Sequence, residues 1–204
     1  MVANLEKRYT LEEYFELERD TNEKYEYFDG QVFCMSGGSS AHERICRDTL
    51  IHLSSLVAGR KCEAFTSNMR IKVPSYPPYR YADVSALCGE AKFEKIGGVD
   101  ALVNPALIVE VLSNSTANYD RSEKFRHYKS IESFSEYLLI TQDSAAVAQL
   151  FKIEDGEWIY RDFADLNEIV RLPSLDCDLS LQEIYRNVVF PPPVVPPLER
   201  DETR

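Results

Sequence analysis

One carboxylate interrupts the most apolar stretch of the chain. Residues 106–113 read ALIVEVLS, with Glu110 inside the run. Such a run suits a strand covered on both faces. On a period of two, Glu110 shares a face with Ala106, Ile108 and Leu112, and Leu107, Val109 and Val111 take the other. A carboxylate buried there needs a metal, a cation or a proton, because an unpaired buried charge is costly. The alternative is a strand that emerges into water at Glu110. Asp83 lies in a second strand-like segment, YRYADVSAL, and alternates with Tyr81, Ser85 and Leu87. Alone it reads as a strand-edge or turn aspartate. Paired with Glu110 on a neighbouring strand it suits Mg²⁺, which takes a few carboxylates and keeps several waters. An ion so held polarises a phosphate and generates hydroxide near neutral pH.

Lys124 follows at helical spacing, with Asp120, Lys124 and Tyr128 at i, i+4 and i+8. Two readings stand side by side. One is an exposed Asp120–Lys124 ion pair worth a few tenths of a kcal/mol. The other is a lysine that reaches the carboxylates to position water or neutralise a phosphate. Glu26, in YEYFDG, has Tyr25 and Tyr27 on the opposite strand face, and alone it reads as an exposed edge carboxylate. His42 opens an apolar helical stripe and reads as a half-buried, hydrogen-bonded histidine before it reads as a ligand. Ser113, in SNST, has no G-x-S-x-G elbow and no evident His–Asp partner. Helix capping therefore explains it, and a serine hydrolase is set aside. No P-loop or G-x-G-x-x-G occurs.

A mixed series of elements must hold these residues. Residues 10–18 predict a helix capped by Thr10, with Glu13 in capping-box position. YEYFDGQVFCMSG predicts a β-hairpin turning at Asp29-Gly30. The longest helix starts at Ser39 or Ser40, runs to about Ala58 and stops at Gly59, with His42, Cys46, Leu50, Leu53 and Val57 on one face. Residues 62–73 and 79–88 read as strands separated by PSYPPY, and 91–105 as a loop. A helix follows from Ser115 or Thr116 to about Ser130. SEYLLITQ then predicts a strand, and AVAQLFKIEDGEWIYRDF a hairpin turning at Asp155-Gly156. LSLQEIYRNV closes the series as a short helix. The expected class is mixed α/β (α+β), one central sheet flanked by helices. Residues 1–190 form a single domain and 191–204 a Pro-rich tail, polyproline II in character and held by packing on its own or a neighbouring subunit.

Composition sets the outer limits. The chain has 204 residues, 44 % hydrophobic and 28 % charged, which suits one folded domain and excludes a wholly disordered chain. No apolar run approaches the roughly 20 residues that cross a bilayer, and the N-terminus shows no signal-peptide pattern, so a cytoplasmic protein is expected. The net charge of −11 is unlike that of a protein that wraps duplex DNA through a broad basic surface. The five cysteines are odd in number and lack C-x-x-C, which fits reduced thiols. With His42, His52 and His127 they supply no cluster at structural-zinc spacing.

The ordered set YEYFDGQV, S-G-x-x-x-A-H, ADV, NPALIVEVLSNST, YDRSEKFRHY and SEYLLI resembles the Uma-two family of restriction endonucleases, a branch of the PD-(D/E)XK nuclease superfamily. The resemblance spans roughly residues 10–186 and is most specific from Glu110 through SNST to the Tyr-rich segment after it. It implies a restriction-endonuclease-like core with a central mixed sheet and Mg²⁺-dependent hydrolysis of phosphodiesters in DNA, with Mn²⁺ as a substitute. It implies that Asp83 and Glu110 are the two acids, and that Glu26 matches an additional glutamate beside the metal. The usual E-x-K lysine position holds Leu112, so the lysine role passes to Lys124. His42 matches the family's histidine, and Ser113 and Asp120 adjoin the same site. Ala82 stands where the family commonly has proline. A homodimer is expected, since two copies of one site suit the two strands of a duplex. The other reading is a catalytically inactive nuclease-fold module that binds a protein or nucleic acid. Geometry separates the two, because Asp83, Glu110 and Lys124 must converge to within about 8 Å for one ion to serve the set.

Overall fold

The computed structural model of the chain describes residues 7–21, 23–35, 37–113 and 116–192. Helix α1 (Leu11–Thr21) carries the expected capping box: Thr10 Oγ1 accepts the Glu13 amide and Glu13 accepts the Thr10 amide. Strands β1 (Tyr25–Phe28) and β2 (Gln31–Cys34) form the expected hairpin, and Asp29 and Gly30 take the positive φ that its turn demands. Helix α2 (Ser40–Leu56) is capped by Ser39, whose side chain accepts the His42 amide.

The region between α2 and the apolar run is more divided than the sequence pattern indicated. Residues 62–73 split into β3 (Cys62–Thr66) and β4 (Arg70–Lys72). Residues 79–88 split at Ala82-Asp83 into β5 (Tyr79–Tyr81) and β6 (Val84–Cys88). The expected loop at 91–105 contains a hairpin, β7 (Phe93–Ile96) and β8 (Val99–Leu102), joined by Gly97 and Gly98, both at positive φ. Residues 93–95 of β7 are exposed, so no apolar alternation marked it.

The run around Glu110 becomes β9 (Leu107–Leu112), with every side chain buried. A crossover follows: α3 (Ala117–Tyr119), a π-helical turn (Asp120–Lys124) and α4 (Phe125–Tyr128). It leads into β10 (Glu136–Thr141), then the hairpin β11 (Val147–Lys152) and β12 (Trp158–Phe163). A further hairpin, β13 (Ile169–Leu172) with β14 (Cys177–Ser180), was not expected from the sequence. Helix α5 (Leu181–Ile184) is shorter than LSLQEIYRNV suggested. Most of the Pro-rich tail, residues 193–204, lies outside the described residues, and the expectation for its packing lies there with it.

The fold is mixed α+β. Its centre is a six-stranded sheet in the order β12-β11-β10-β9-β6-β3. β9 and β10 are parallel and joined by the crossover helix, while β6 runs antiparallel to β9. One face packs Val109, Val111, Leu138 and Ile140 under Ile45 and Leu53 of α2 and under α5. The other packs Ile108, Leu112, Tyr137 and Leu139 under Tyr128 and the loop residues Ile131 and Phe134. Each of these fully buried side chains contributes roughly 1.5–3 kcal/mol relative to exposure, so β9 is anchored from both sides. A second sheet, β5-β4-β8-β7, is tied to α1 through Tyr14, Tyr79 and Tyr81. The expectation that all five thiols are reduced is corrected for two of them. Cys62 and Cys88 are direct partners across β3 and β6 and form a disulfide, a pairing set by register and invisible to spacing along the chain.

Candidate active site

The register of β6 against β9 brings the two acids together. Val84 pairs with Val109, so one step further along the two strands Asp83 comes opposite Glu110. β6 begins just after Asp83, and the Asp83 carboxylate takes the place of the missing strand: its Oδ2 accepts the Val111 amide at 2.7 Å. That bond fixes the carboxylate against the middle of the sheet.

Glu110 faces the crossover. Its Oε1 accepts the Tyr128 hydroxyl at 3.0 Å and lies 2.9 Å from Lys124 Nζ. Lys124 sits on the π-helical turn and is only 3 % exposed. The same Nζ lies 3.8 Å from Glu26 Oε1 and 3.7 Å from Asp120 Oδ1. Glu26 comes from β1, and its Oε1 accepts the Tyr81 amide at 3.0 Å. One ammonium thus meets three carboxylates, all buried. The exposed readings of Glu26 and of an Asp120–Lys124 surface pair are both displaced by this cluster. The crossover from β9 to β10 explains how Lys124 reaches Glu110: it starts at the C-terminal end of the strand that bears Glu110 and folds back over that same residue.

The charges respond to this crowding. Burial pushes the Glu110 carboxyl well above the carboxylate range, and the Asp83 and Asp120 charges reinforce the rise against the pull of Lys124. Burial likewise raises Asp120. Burial opposes the charge on Lys124, yet Glu110, Glu26 and Asp120 together outweigh it and hold the ammonium well above its usual pKa. Asp83 behaves the other way. Its burial would raise it, but the hydrogen bond and charge of His42, then Lys124 and the Val111 amide, hold it below the usual value. His42 Nε2 lies 3.3 Å from Asp83 Oδ2, and despite burial its pKa is raised by Asp83 and Glu43.

A cleft of about 890 Å³ opens onto this cluster, with Lys24, His42, Asp83, Glu110, Ser113 and Lys124 on its walls. Asp120 lines it as well, whereas Glu26 stands behind Lys124 and not on the wall. Ser113 Oγ accepts the Thr116 amide at 3.2 Å just ahead of α3, whose N-cap Thr116 makes no side-chain capping bond of its own. All the residues singled out in the sequence therefore meet in or beside one cleft. In the sequence Cys46 stands on the apolar face of α2. Its Sγ lies 3.5 Å from His42 Nδ1, and one donor atom each of His42, Cys46 and Asp83 falls within 4.8 Å of the other two. The i, i+4 spacing of His42 and Cys46 was the only signal for this group, and its third member comes from another element.

The donor chemistry fits a hard divalent cation. The Asp83 and Glu110 carboxylates line one cleft, and burial, reinforced by the neighbouring acids, holds Glu110 above its normal pKa. Among the described residues no helix is long and apolar enough to cross a membrane.

Comparisons with known proteins bear on the fold and the family. Two proteins of Synechocystis sp. (strain ATCC 27184 / PCC 6803 / Kazusa), both described only as uncharacterized, are similar over most of their length. The protein slr1290 is 33 % identical over 183 residues, covering 88 % of this chain and 92 % of its own. The protein sll1609 is 34 % identical over 167 residues, covering 82 % and 94 %. A crystal structure described as "a putative nuclease belonging to DUF820" from Anabaena variabilis ATCC 29413 superposes with a TM-score of 0.69 at 19 % identity, covering 87 % of this chain and 97 % of that one. That likeness shows a shared fold. The family profile of Uma2, described as "Putative restriction endonuclease", matches residues 11–183, and the chain belongs to that family.

Proposed function

We propose that the chain is a Mg²⁺-dependent endonuclease that hydrolyses phosphodiester bonds of DNA in the cleft at Asp83, Glu110 and Lys124. The observation that carries the reading is the 2.9 Å contact between Lys124 Nζ and Glu110 Oε1 beside Asp83. It joins the lysine to one acid although the lysine is absent from the strand, and Asp83 lines the same cleft. Asp83 and Glu110 would hold Mg²⁺, or Mn²⁺ in its place. The ion would supply Lewis-acid polarisation of the phosphate and acidify an attacking water.

The remaining roles belong to the chain. Tyr128 donates to Glu110 and fixes its rotamer. Lys124 presents a permanent positive charge next to the reacting phosphate, where negative charge grows as water adds to phosphorus and an ester oxygen departs. Glu26 and Asp120 keep that lysine charged and aimed. We assign Glu26 to positioning Lys124, because its carboxylate is occupied by the lysine and the Tyr81 amide. The acidic net charge of −11 means that nucleic acid must be gripped locally, and Lys24 on the cleft wall offers one cation for it.

The test is cleavage of plasmid and branched DNA with Mg²⁺ or Mn²⁺ by the native chain and by Glu110→Gln. Metal-dependent cleavage by the native chain, reduced at least a hundredfold in the variant, is the expected result, on the scale of losing one electrostatic contact to the transition state. Equal cleavage by both proteins overturns the assignment. No cleavage by either, with DNA still bound, shifts the reading to a nuclease-fold binding module.

A further inference from the structure

A second constellation sits at the edge of the same cleft. His42 and Cys46 project from one face of α2 at i, i+4, and Asp83 meets them from the start of β6. His42 Nδ1 lies 3.5 Å from Cys46 Sγ, and His42 Nε2 lies 3.3 Å from Asp83 Oδ2. A tetrahedral ion with bonds of 2.0–2.3 Å separates its ligand atoms by about 3.3–3.8 Å. One donor atom from each residue already lies within 4.8 Å of the other two. An ion takes one of the two imidazole nitrogens, so side-chain rotations of His42, Cys46 and Asp83 must bring one donor atom of each from within 4.8 Å to that spacing. The Ser39 cap holds the His42 backbone, so the approach needs only the side chains to move.

The donor types differ from those of the nuclease pair. A thiolate, an imidazole and a carboxylate together select a borderline-soft ion of the zinc class, whereas magnesium prefers an all-oxygen set. We propose that His42, Cys46 and Asp83 form a binding site for Zn²⁺ or a similar transition-metal cation, with water from the cleft as its fourth ligand. Binding releases the thiol proton of Cys46 to solvent as the metal–sulfur bond forms. The site leaves one position open to the cleft, unlike a closed structural zinc centre. Asp83 belongs to both ligand sets. One consequence rests on the nuclease reading: zinc at this site withdraws Asp83 from magnesium and suppresses cleavage. The binding itself does not depend on that reading.

The experiment is titration of the full chain with Co²⁺ in the absence of nucleic acid and Mg²⁺, followed by displacement with Zn²⁺. One equivalent of Co²⁺ is expected to produce a thiolate-to-cobalt charge-transfer band, which Zn²⁺ then bleaches. Cys46→Ser removes the band and weakens zinc binding at least tenfold, and His42→Gln does the same. Glu110→Gln keeps the band, so the result is independent of the nuclease assignment. Cys34 is exposed on the same cleft, and Cys34→Ser must also keep it. Circular dichroism of each variant shows that it is folded. No band on the native chain, or a band that survives in folded Cys46→Ser, overturns the proposal.

Discussion

Replacing Lys124 with methionine tests the central cluster most directly. Methionine keeps the length and bulk of the lysine stem and removes only the ammonium. In the native chain that ammonium lies between Glu110, Glu26 and Asp120, at 2.9, 3.8 and 3.7 Å. The cluster carries three carboxylates against one cation, and all four groups are buried. Removing one partner of a buried ion pair costs about 3–5 kcal/mol, because the other charge stays buried and uncompensated. A domain of this kind has about 5–15 kcal/mol in total. The carboxylates can escape the cost by taking up protons. Glu110 and Asp120 are already raised, and both rise further without Lys124. A group whose folded pKa exceeds its unfolded one holds a proton in the folded state after the unfolded chain has lost it. Stability then falls as pH rises between the two values. The deficit of Lys124→Met should therefore be small near about pH 5 and reach about 3–5 kcal/mol near about pH 8. Mg²⁺ should recover part of it by supplying the missing positive charge. Urea unfolding of both proteins at the two pH values, with and without Mg²⁺, reads all of this. A deficit below about 1 kcal/mol, or one equal at both pH values, would refute the buried cluster and show that water screens it.

Three further outcomes follow from separate parts of the structure. Glu110→Gln removes one of the three carboxylates and keeps the oxygen that accepts Tyr128, so unfolding free energy should stay level or rise by about 1 kcal/mol while metal binding falls; a loss above about 2 kcal/mol contradicts this. The His42–Asp83 pair raises the histidine pKa, so its stabilisation is full below about pH 6.5 and is lost as pH rises through the higher folded value. His42→Gln should therefore cost about 1.5 kcal/mol at low pH and less above it, and a gap that widens with pH refutes the pair. Gly97→Ala should cost about 2 kcal/mol in urea melts, because Gly97 has φ of 60° and an added Cβ would lie 2.6 Å from the Phe15 ring; an unchanged midpoint refutes that packing.

Much of this protein was legible along the chain, for reasons that can be named. The Thr10–Glu13 box, the Asp29-Gly30 and Asp155-Gly156 turns and the Ser39 cap are local hydrogen-bond and φ requirements, so a few adjacent residues suffice to show them. The all-apolar β9 was legible because a strand covered on both faces has no polar alternation. The β7–β8 hairpin was missed because residues 93–95 are exposed and only its two glycines carried a signal. The β13–β14 hairpin was missed although Val170, Leu172, Cys177 and Leu179 do alternate inward, since four-residue strands hold too few periods to stand out.

The sequence by itself determined which residue types were present to do chemistry: a carboxylate in an apolar strand, a second acid, and a lysine at the next helical segment. It also determined that a resident of that strand would need compensation, because burial of an unpaired charge is costly whatever the fold. Only the tertiary structure decided what supplied the compensation. Strand register put Asp83 beside Glu110, the β9–β10 crossover returned Lys124 over the same strand, and β1 delivered Glu26 from more than eighty residues away in the chain. It alone joined Cys62 to Cys88 and drew His42, Cys46 and Asp83 together. The physical reason is common to all of these. Spacing along a chain reports which face of one element a side chain takes, whereas a site depends on the register and packing of several elements against each other.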